Sequence, residues 1–171
     1  MYPGWSGESA GTVASFELVL TSDETLVATV RRFVGELCVR VLVDPDITSR
    51  VVVATHELLD NAVRHAVSDA SGIRVEVARF GEEVGVVILT RNRIDDDRSR
   101  MLQGLLDTMH SSADRGAFYC DLLARAARKE GAGLGLGRVY AEAGMNVSSR
   151  REQDVVIVRA EGRFAPGAVP R

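Results

Sequence analysis

The sequence predicts a two-layer α/β sandwich, with helices on one face of a mostly antiparallel sheet. Three observations predict it. A strand-like segment is followed by two long stretches with helical apolar spacing, two pairs of β-rich runs are each joined by a short turn, and further helical stretches separate the pairs. Helices grouped beside hairpins bury their apolar faces against the sheet, which gives two layers.

Each element of the first half has a local signal. Ser22 is an expected N-cap, with acidic residues in the first turn that follows it. The stretch 44–46 contains Pro45 and separates two helices, and the turn at 81–83 joins two strands into a hairpin. The predicted elements are a strand at 14–20, helices at 23–42 and 46–67, and strands at 73–80 and 84–90.

The second half begins with a polar stretch and ends in a second strand pair. Apolar stripes around 101–109 and 118–126 predict two short helices packed on one face. A glycine segment follows at 131–137 and is expected to be a loop. We then expect a short helix at 138–143 that stops at Gly144, and strands at 147–151 and 155–159.

Composition limits the classes of function. The chain has 171 residues, 46% of them hydrophobic and 26% charged, with a formal net charge of -3. We expect one domain at 14–161 between a flexible arm at 1–13 and a flexible tail at 162–171. Charge gives no support to a nucleic-acid partner, and we expect neither a signal peptide nor a membrane partner. A cytoplasmic protein with two buried free thiols, Cys38 and Cys120, is the resulting expectation.

The second predicted helix carries polar groups at one-turn intervals. Glu57 and Asn61 are four residues apart and therefore point in nearly the same direction, and His65 continues that face. A carboxylate can accept a proton, and a carboxamide oxygen is a suitable Mg²⁺ ligand. A solvated helix face would show the same spacing, although the apolar surroundings favour a pocket.

Glycines alternate with other residues in the segment that precedes the last helix. Such a segment allows the backbone to approach a ligand closely, and the helix that follows can present N–H groups to phosphate. A flexible connector is the alternative. The segment lacks the Gly-Lys-Ser/Thr ending of a Walker A loop and does not follow a strand as a Rossmann fingerprint does. Its candidate ligand-binding residues are Gly131, Gly133, Leu134, Gly135, Gly137 and Arg138.

Taken together, the Glu57/Asn61 helix, the hairpin and the Gly-x-Gly-Leu-Gly-Leu segment resemble the GHKL ATPase superfamily, over residues 15–160. The resemblance implies a Bergerat-type, histidine-kinase-like ATPase fold that binds ATP and Mg²⁺. It implies Glu57 as the general base, Asn61 as the metal ligand, and a phosphate site at the glycine segment to which Arg138 and His65 add charge. The helices at 98–130 would form or support a lid.

One departure concerns the Asp-x-Gly-x-Gly box that the superfamily usually has after the second hairpin strand. The corresponding stretch, 90–95, contains no glycine. Asn92 is the candidate substitute because its side-chain oxygen can accept a hydrogen bond from the adenine amino group. The acidic run at 95–97 is either part of this region or a solvated turn.

The given sequence contains no dimerisation helices and no transducer domain, so it most resembles stand-alone anti-sigma-factor serine kinases and SiaB-type kinases. The resemblance implies a partner-switching kinase that phosphorylates a small STAS-like antagonist, or that binds a sigma-factor-type regulator. The alternative is a degenerate module that sequesters its partner without phosphoryl transfer. The helix at 23–42 could support a homodimer, although core packing explains its apolar residues equally well.

Overall fold

The computed structural model describes residues 11–21, 23–42, 44–67, 70–128 and 133–165. Within these ranges it contains five strands and five helices. The strands are β1 (Gly11–Thr21), β2 (Ala70–Phe80), β3 (Glu83–Arg93), β4 (Asn146–Glu152) and β5 (Val155–Phe164). The helices are α1 (Glu24–Val41), α2 (Pro45–Arg64), α3 (Asp96–Ser111), α4 (Arg115–Ala127) and α5 (Leu134–Ala141).

The strands form one sheet in the order β1-β2-β3-β5-β4, and every neighbouring pair is antiparallel. The helices form the second layer, which confirms the predicted α/β sandwich. Strand β3 is central, and α2 packs across β2, β3 and β5. This arrangement places the helix that carries Glu57 and Asn61 directly above the middle of the sheet.

Aspartate side chains cap the N-termini of α1 to α4. Asp23, Asp44, Asp95 and Asp114 each accept a hydrogen bond from a backbone N–H of the first turn, which satisfies a donor that has no helical partner. The N-cap of α1 is thus Asp23, one residue after the predicted Ser22, which itself lies outside the described residues. Hydrogen bonds from Thr25, first from its backbone and then from its side chain, lower the pKa of Asp23.

The core lies between the sheet and the helices, and α1 and α2 contribute most of its helical residues. Helix α1 buries Val27, Val30, Val34 and Cys38, and α2 buries a longer stripe that includes Leu58 and Leu59. Core packing thus accounts for one face of α1, while Phe33 and Val39 remain exposed. Burial raises the pKa of Cys38 to about 11, which keeps this thiol protonated and unreactive. Cys120 is exposed on α4, contrary to the expectation of a buried thiol.

Several boundaries differ from the prediction. Strand β1 begins at Gly11 and β5 continues to Phe164, so both strands extend into the stretches expected to be arm and tail. Helix α5 begins at Leu134 and not at Arg138, so most of the described glycine segment is helical. Residues 1–10, 129–132 and 166–171, which include Gly131, lie outside the described residues. No helix in the described ranges is long and apolar enough to cross a membrane.

Candidate functional site

A cavity of about 190 Å³ lies between the sheet and the helices. Its floor is formed by β3 and β5, its roof by α2, one wall by α3 and its end by the start of α5. The lining residues are Thr90, Asn92, Val156 and Val158 in the floor, Leu58, Asn61, Ala62 and His65 in the roof, Arg98, Met101, Leu102 and Leu105 in the wall, and Ile94, Gly133 and Leu136 at the margins.

The floor follows from strand geometry. Alternate residues of a strand point to the same face, so Thr90 and Asn92 both face the helices. Their register partners on β5 are Val158 and Val156, which face the same way. Asn92 is only 6% exposed, and its carboxamide has no hydrogen-bond partner among the described residues. The side chain lines the cavity, so a ligand there could satisfy its polar atoms.

The close approach of α5 to α2 brings the two sequence motifs together. A Cβ built on Gly135 would lie 2.6 Å from Glu57 Oε2 and 3.2 Å from Asn61 Nδ2. Both side chains therefore lie on the face of α2 that meets the first turn of α5, as their four-residue spacing predicts. A side chain at Gly135 would require the Glu57 carboxylate, which is the end of a flexible side chain, to move away from α5.

The other two described glycines of the 131–137 segment, Gly133 and Gly137, have separate roles. Gly133 precedes α5 with a φ of 104°, the left-handed region that favours glycine. A Cβ there would also lie 2.5 Å from the Leu105 side chain on the cavity wall. Gly137 is helical, and a Cβ there would lie 2.6 Å from Leu122. Unlike α1 to α4, α5 has no side-chain cap hydrogen bond, so its first-turn N–H groups remain available to a ligand.

Arg138 pairs with Glu57. Its Nη1 donates to Glu57 Oε1 at 2.5 Å, and its Nε donates to Glu142 Oε2 at 3.2 Å. The Glu57 side chain is 13% exposed and that of Arg138 is 39% exposed. Burial lowers the pKa of Arg138, but the Glu142 hydrogen bond and the Glu57 charge outweigh it and raise the pKa above its usual value. Glu57 therefore faces a permanent positive charge.

Tyr119 of α4 lies beside this pair. Burial, a hydrogen bond with Glu142 and the nearby carboxylates raise the pKa of Tyr119, so its hydroxyl stays protonated. The group is a hydrogen-bond donor at the edge of the Glu57–Arg138 pair.

His65 and Arg98 meet at the rim of the cavity, where Arg98 Nη1 donates to the backbone oxygen of His65 at 3.0 Å. Burial lowers the pKa of His65, and the charges of Arg98 and Arg64 lower it further, while Asp60 opposes them. His65 is therefore neutral at pH 7. It can donate or accept a hydrogen bond but carries no charge, and the permanent cation at this rim is Arg98, whose Nε lies 3.5 Å from Asp95 Oδ2.

The donor groups near Asn61 do not form a metal cage by themselves. In the part of the chain that the structure describes, no three His, Cys, Asp or Glu side chains cluster as metal ligands. Mg²⁺ typically takes one or two protein oxygens and completes its shell with phosphate and water. Asn61, with Glu57 beside it, fits such a site better than a cage made only of protein ligands.

The structure places the candidate residues in two adjoining groups. Asn61, His65, Asn92 and Gly133 line the cavity. Glu57, Gly135 and Arg138 meet beside it, and Leu134 begins the helix that they share. Gly137 packs against α4 and takes no part in the cavity lining. The acidic run is a helix start: Asp95 caps α3, and Asp96 and Asp97 lie in its first turn.

Sequence analysis assigned the helices at 98–130 to a lid but named no site residue in them. Met101, Leu102 and Leu105 of the predicted apolar stripe line the cavity. Arg98 lies four residues before Leu102 on the same face, which was the available signal. Thr90 could have been found from its two-residue spacing to Asn92.

Residues 20–160 match the family described as the histidine kinase-like ATPase domain. The chain belongs to this family. The match spans every helix and all of β2, β3 and β4, and it confirms the resemblance found in the sequence. Membership of a family of ATPase domains implies ATP binding, and the cavity beneath α2 is the candidate site.

This histidine kinase-like ATPase domain was also compared with solved structures. It is similar to a chain in the crystal structure of the SiaB–SiaC complex from Pseudomonas aeruginosa, with 15% sequence identity and a TM-score of 0.62. The similarity covers 90% of this chain and 91% of that chain. At this identity the likeness concerns the fold. No curated protein sequence matches the chain.

Proposed function

We propose that the protein is a cytoplasmic, ATP-dependent serine/threonine kinase of a bacterial partner-switching system, which phosphorylates a small STAS-like antagonist protein. The observation that carries the proposal is the juxtaposition of Glu57, Asn61 and Gly135 beside a cavity in a histidine kinase-like ATPase domain. The similar solved structure is that of a two-protein complex, which supports a protein partner.

The chain's residues divide into binding and reacting groups. Asn61 would hold Mg²⁺, Gly133 and the first turn of α5 would receive the phosphates, and Asn92 would contact the base. When bound, MgATP supplies the transferable phosphoryl group. Glu57 would accept the proton of the partner's hydroxyl, and its ion pair with Arg138 fixes the carboxylate toward α5.

A transfer assay with radioactive ATP, Mg²⁺ and a candidate STAS-like partner tests the proposal. We expect Glu57→Gln to reduce transfer by about 10²- to 10⁴-fold while nucleotide binding persists. We expect Asn61→Ala to weaken binding in the presence of Mg²⁺ but to have less effect in its absence. Unchanged transfer in Glu57→Gln would contradict the assigned role of the base.

The Glu57–Arg138 pair also supports a second candidate function, a module that sequesters its partner without phosphoryl transfer. The hydrogen bond from Arg138 already occupies Glu57 Oε1, so this oxygen is engaged and is not free to accept the proton of a partner hydroxyl. Tight binding of the partner and of ATP, with no transferred phosphate, would favour this second function.

A homodimer is a further part of the proposal. Phe33 and Val39 on α1 are 50% and 69% exposed, and Val19 on the edge strand β1 is 56% exposed. Phe33 contacts Phe16 of β1, so the two elements meet at this side of the sandwich. Light scattering on the intact chain and on Val39→Ser tests whether these residues support association.

A further inference from the structure

The lining of the cavity indicates which nucleotide bases the site can bind, a property separate from the proposed kinase activity. Every described residue lining the cavity is apolar, neutral and polar, or cationic, and none is a carboxylate. The polar side chains in the floor are Thr90 and Asn92, both buried on the central strand, and Asn92 is the one that carries an amide. Selectivity at this position therefore depends on a neutral carboxamide.

A carboxamide has both hydrogen-bonding characters. Its oxygen accepts and its nitrogen donates, whereas an ionised carboxylate can only accept. At the six-position, adenine carries an amino donor and guanine a carbonyl acceptor. Rotation of the terminal amide of Asn92 can present the oxygen to the first or the nitrogen to the second, and no hydrogen bond to a described residue holds the amide in one orientation.

The cationic wall favours acceptor atoms. Arg98 is the one permanently charged side chain among the described lining residues. Its Nε lies 3.5 Å from Asp95 Oδ2 and its Nη1 donates to the His65 backbone oxygen, so its other N–H groups are the ones that could pair with acceptors such as guanine O6 and N7. The absence of a lining carboxylate also removes the repulsion that O6 would meet.

We propose that the cavity is a purine site without strict adenine selectivity, in which Asn92 faces the six-position and admits guanine nucleotides alongside adenine nucleotides. The inference rests on the proposed function only in requiring that the cavity bind a nucleotide.

Calorimetry with the intact chain, Mg²⁺ and either ATP, GTP or CTP tests the inference. We expect dissociation constants for ATP and GTP within about tenfold of each other, and weaker binding of the smaller pyrimidine nucleotide. Asn92→Asp should weaken GTP binding by about tenfold or more and leave ATP binding within about threefold. Gln153→Glu makes the corresponding amide-to-carboxylate change in the exposed turn between β4 and β5, away from the cavity lining, and should alter neither value.

Two results would overturn the inference. One is GTP binding at least about 100-fold weaker than ATP binding in the unaltered protein, and the other is an equal effect of Asn92→Asp on both nucleotides. The proposed function can fail separately. Failure to bind any nucleotide removes both proposals, whereas ATP binding and phosphate transfer with exclusion of GTP remove only this one.

Discussion

Glu57 of α2 and Arg138 of α5 are 81 residues apart in the sequence and form an ion pair, in which Glu57 Oε1 lies 2.5 Å from Arg138 Nη1. The contact joins the two segments that sequence analysis singled out. It also places the positive charge of Arg138 beside Glu57, the residue proposed as the base. The pair is therefore both part of the packing of α5 on α2 and part of the site.

Arg138→Ala should destabilise the protein because it leaves a mostly buried carboxylate without its partner. The Glu57 side chain is 13% exposed, but Arg138 is 39% exposed, so solvent screens part of the effect. We expect a loss of about 1–2 kcal/mol in the free energy of unfolding, measured by urea denaturation. The control is Arg125→Ala, which breaks an exposed pair with Asp121 and should cost about 0.5 kcal/mol or less. Equal effects of the two variants would contradict a special role for the Glu57 pair.

Gly135→Ala should damage the site more than the fold. Its methyl group would lie 2.6 Å from Glu57 Oε2, so the carboxylate or α5 must move. Gly104→Ala is the matched control, since Gly104 is also helical and its added Cβ meets nothing within 4 Å. We expect the control to be neutral or more stable by up to about 1 kcal/mol, and Gly135→Ala to lose nucleotide binding and transfer. Normal activity in Gly135→Ala would show that the close approach is not required.

The elements were predictable where local pattern decides structure. Helical apolar spacing located α1 and α2, and the short turn at 81–83 located the β2–β3 hairpin, because these signals act within a few residues. The start of α5 was not predictable from propensity. Gly135 and Gly137 disfavour a helix locally, and packing against α2 and α4 overrides that preference.

The site was only partly predictable for a related reason. The spacing of Glu57 and Asn61 fixes their common face, so their proximity on α2 follows from the sequence. The choice of Glu57 as the partner of Arg138 depends on how two distant helices pack, which no local pattern contains. The apolar stripe on α3 likewise looks the same whether it meets a core or a cavity.

The protonation of His65 should make stability depend on pH. Its pKa lies below 6.5 in the folded state, so the unfolded chain binds more protons between the two values. Stability from this residue is therefore complete above about pH 6.5 and is lost as the pH falls through the folded pKa. The facing charges are Arg98 on α3 and Arg64 and Asp60 on α2.

The measurement is the free energy of unfolding of the unaltered protein and of His65→Asn at about pH 7 and about pH 5. We expect the unaltered protein to lose more stability on acidification than the variant, because asparagine does not titrate. Equal losses would contradict a lowered pKa for His65.

Arg115 anchors the start of α4 to two other elements. Its Nη1 donates to the Tyr140 backbone oxygen at 2.9 Å, its Nη2 donates to Asn146 Oδ1 at 2.6 Å, and its guanidinium lies 4.2 Å from the Tyr140 ring centroid. Arg115→Ala should loosen α4 and increase hydrogen exchange across Arg115–Ala127 by about tenfold, since each lost hydrogen bond contributes about 1 kcal/mol. Arg125→Ala lies on the same helix and should leave exchange there nearly unchanged. Leu122 of α4 also packs on Gly137 of α5, so a loosened α4 should lower nucleotide affinity through α5. Unchanged exchange in Arg115→Ala would show that apolar packing alone holds α4.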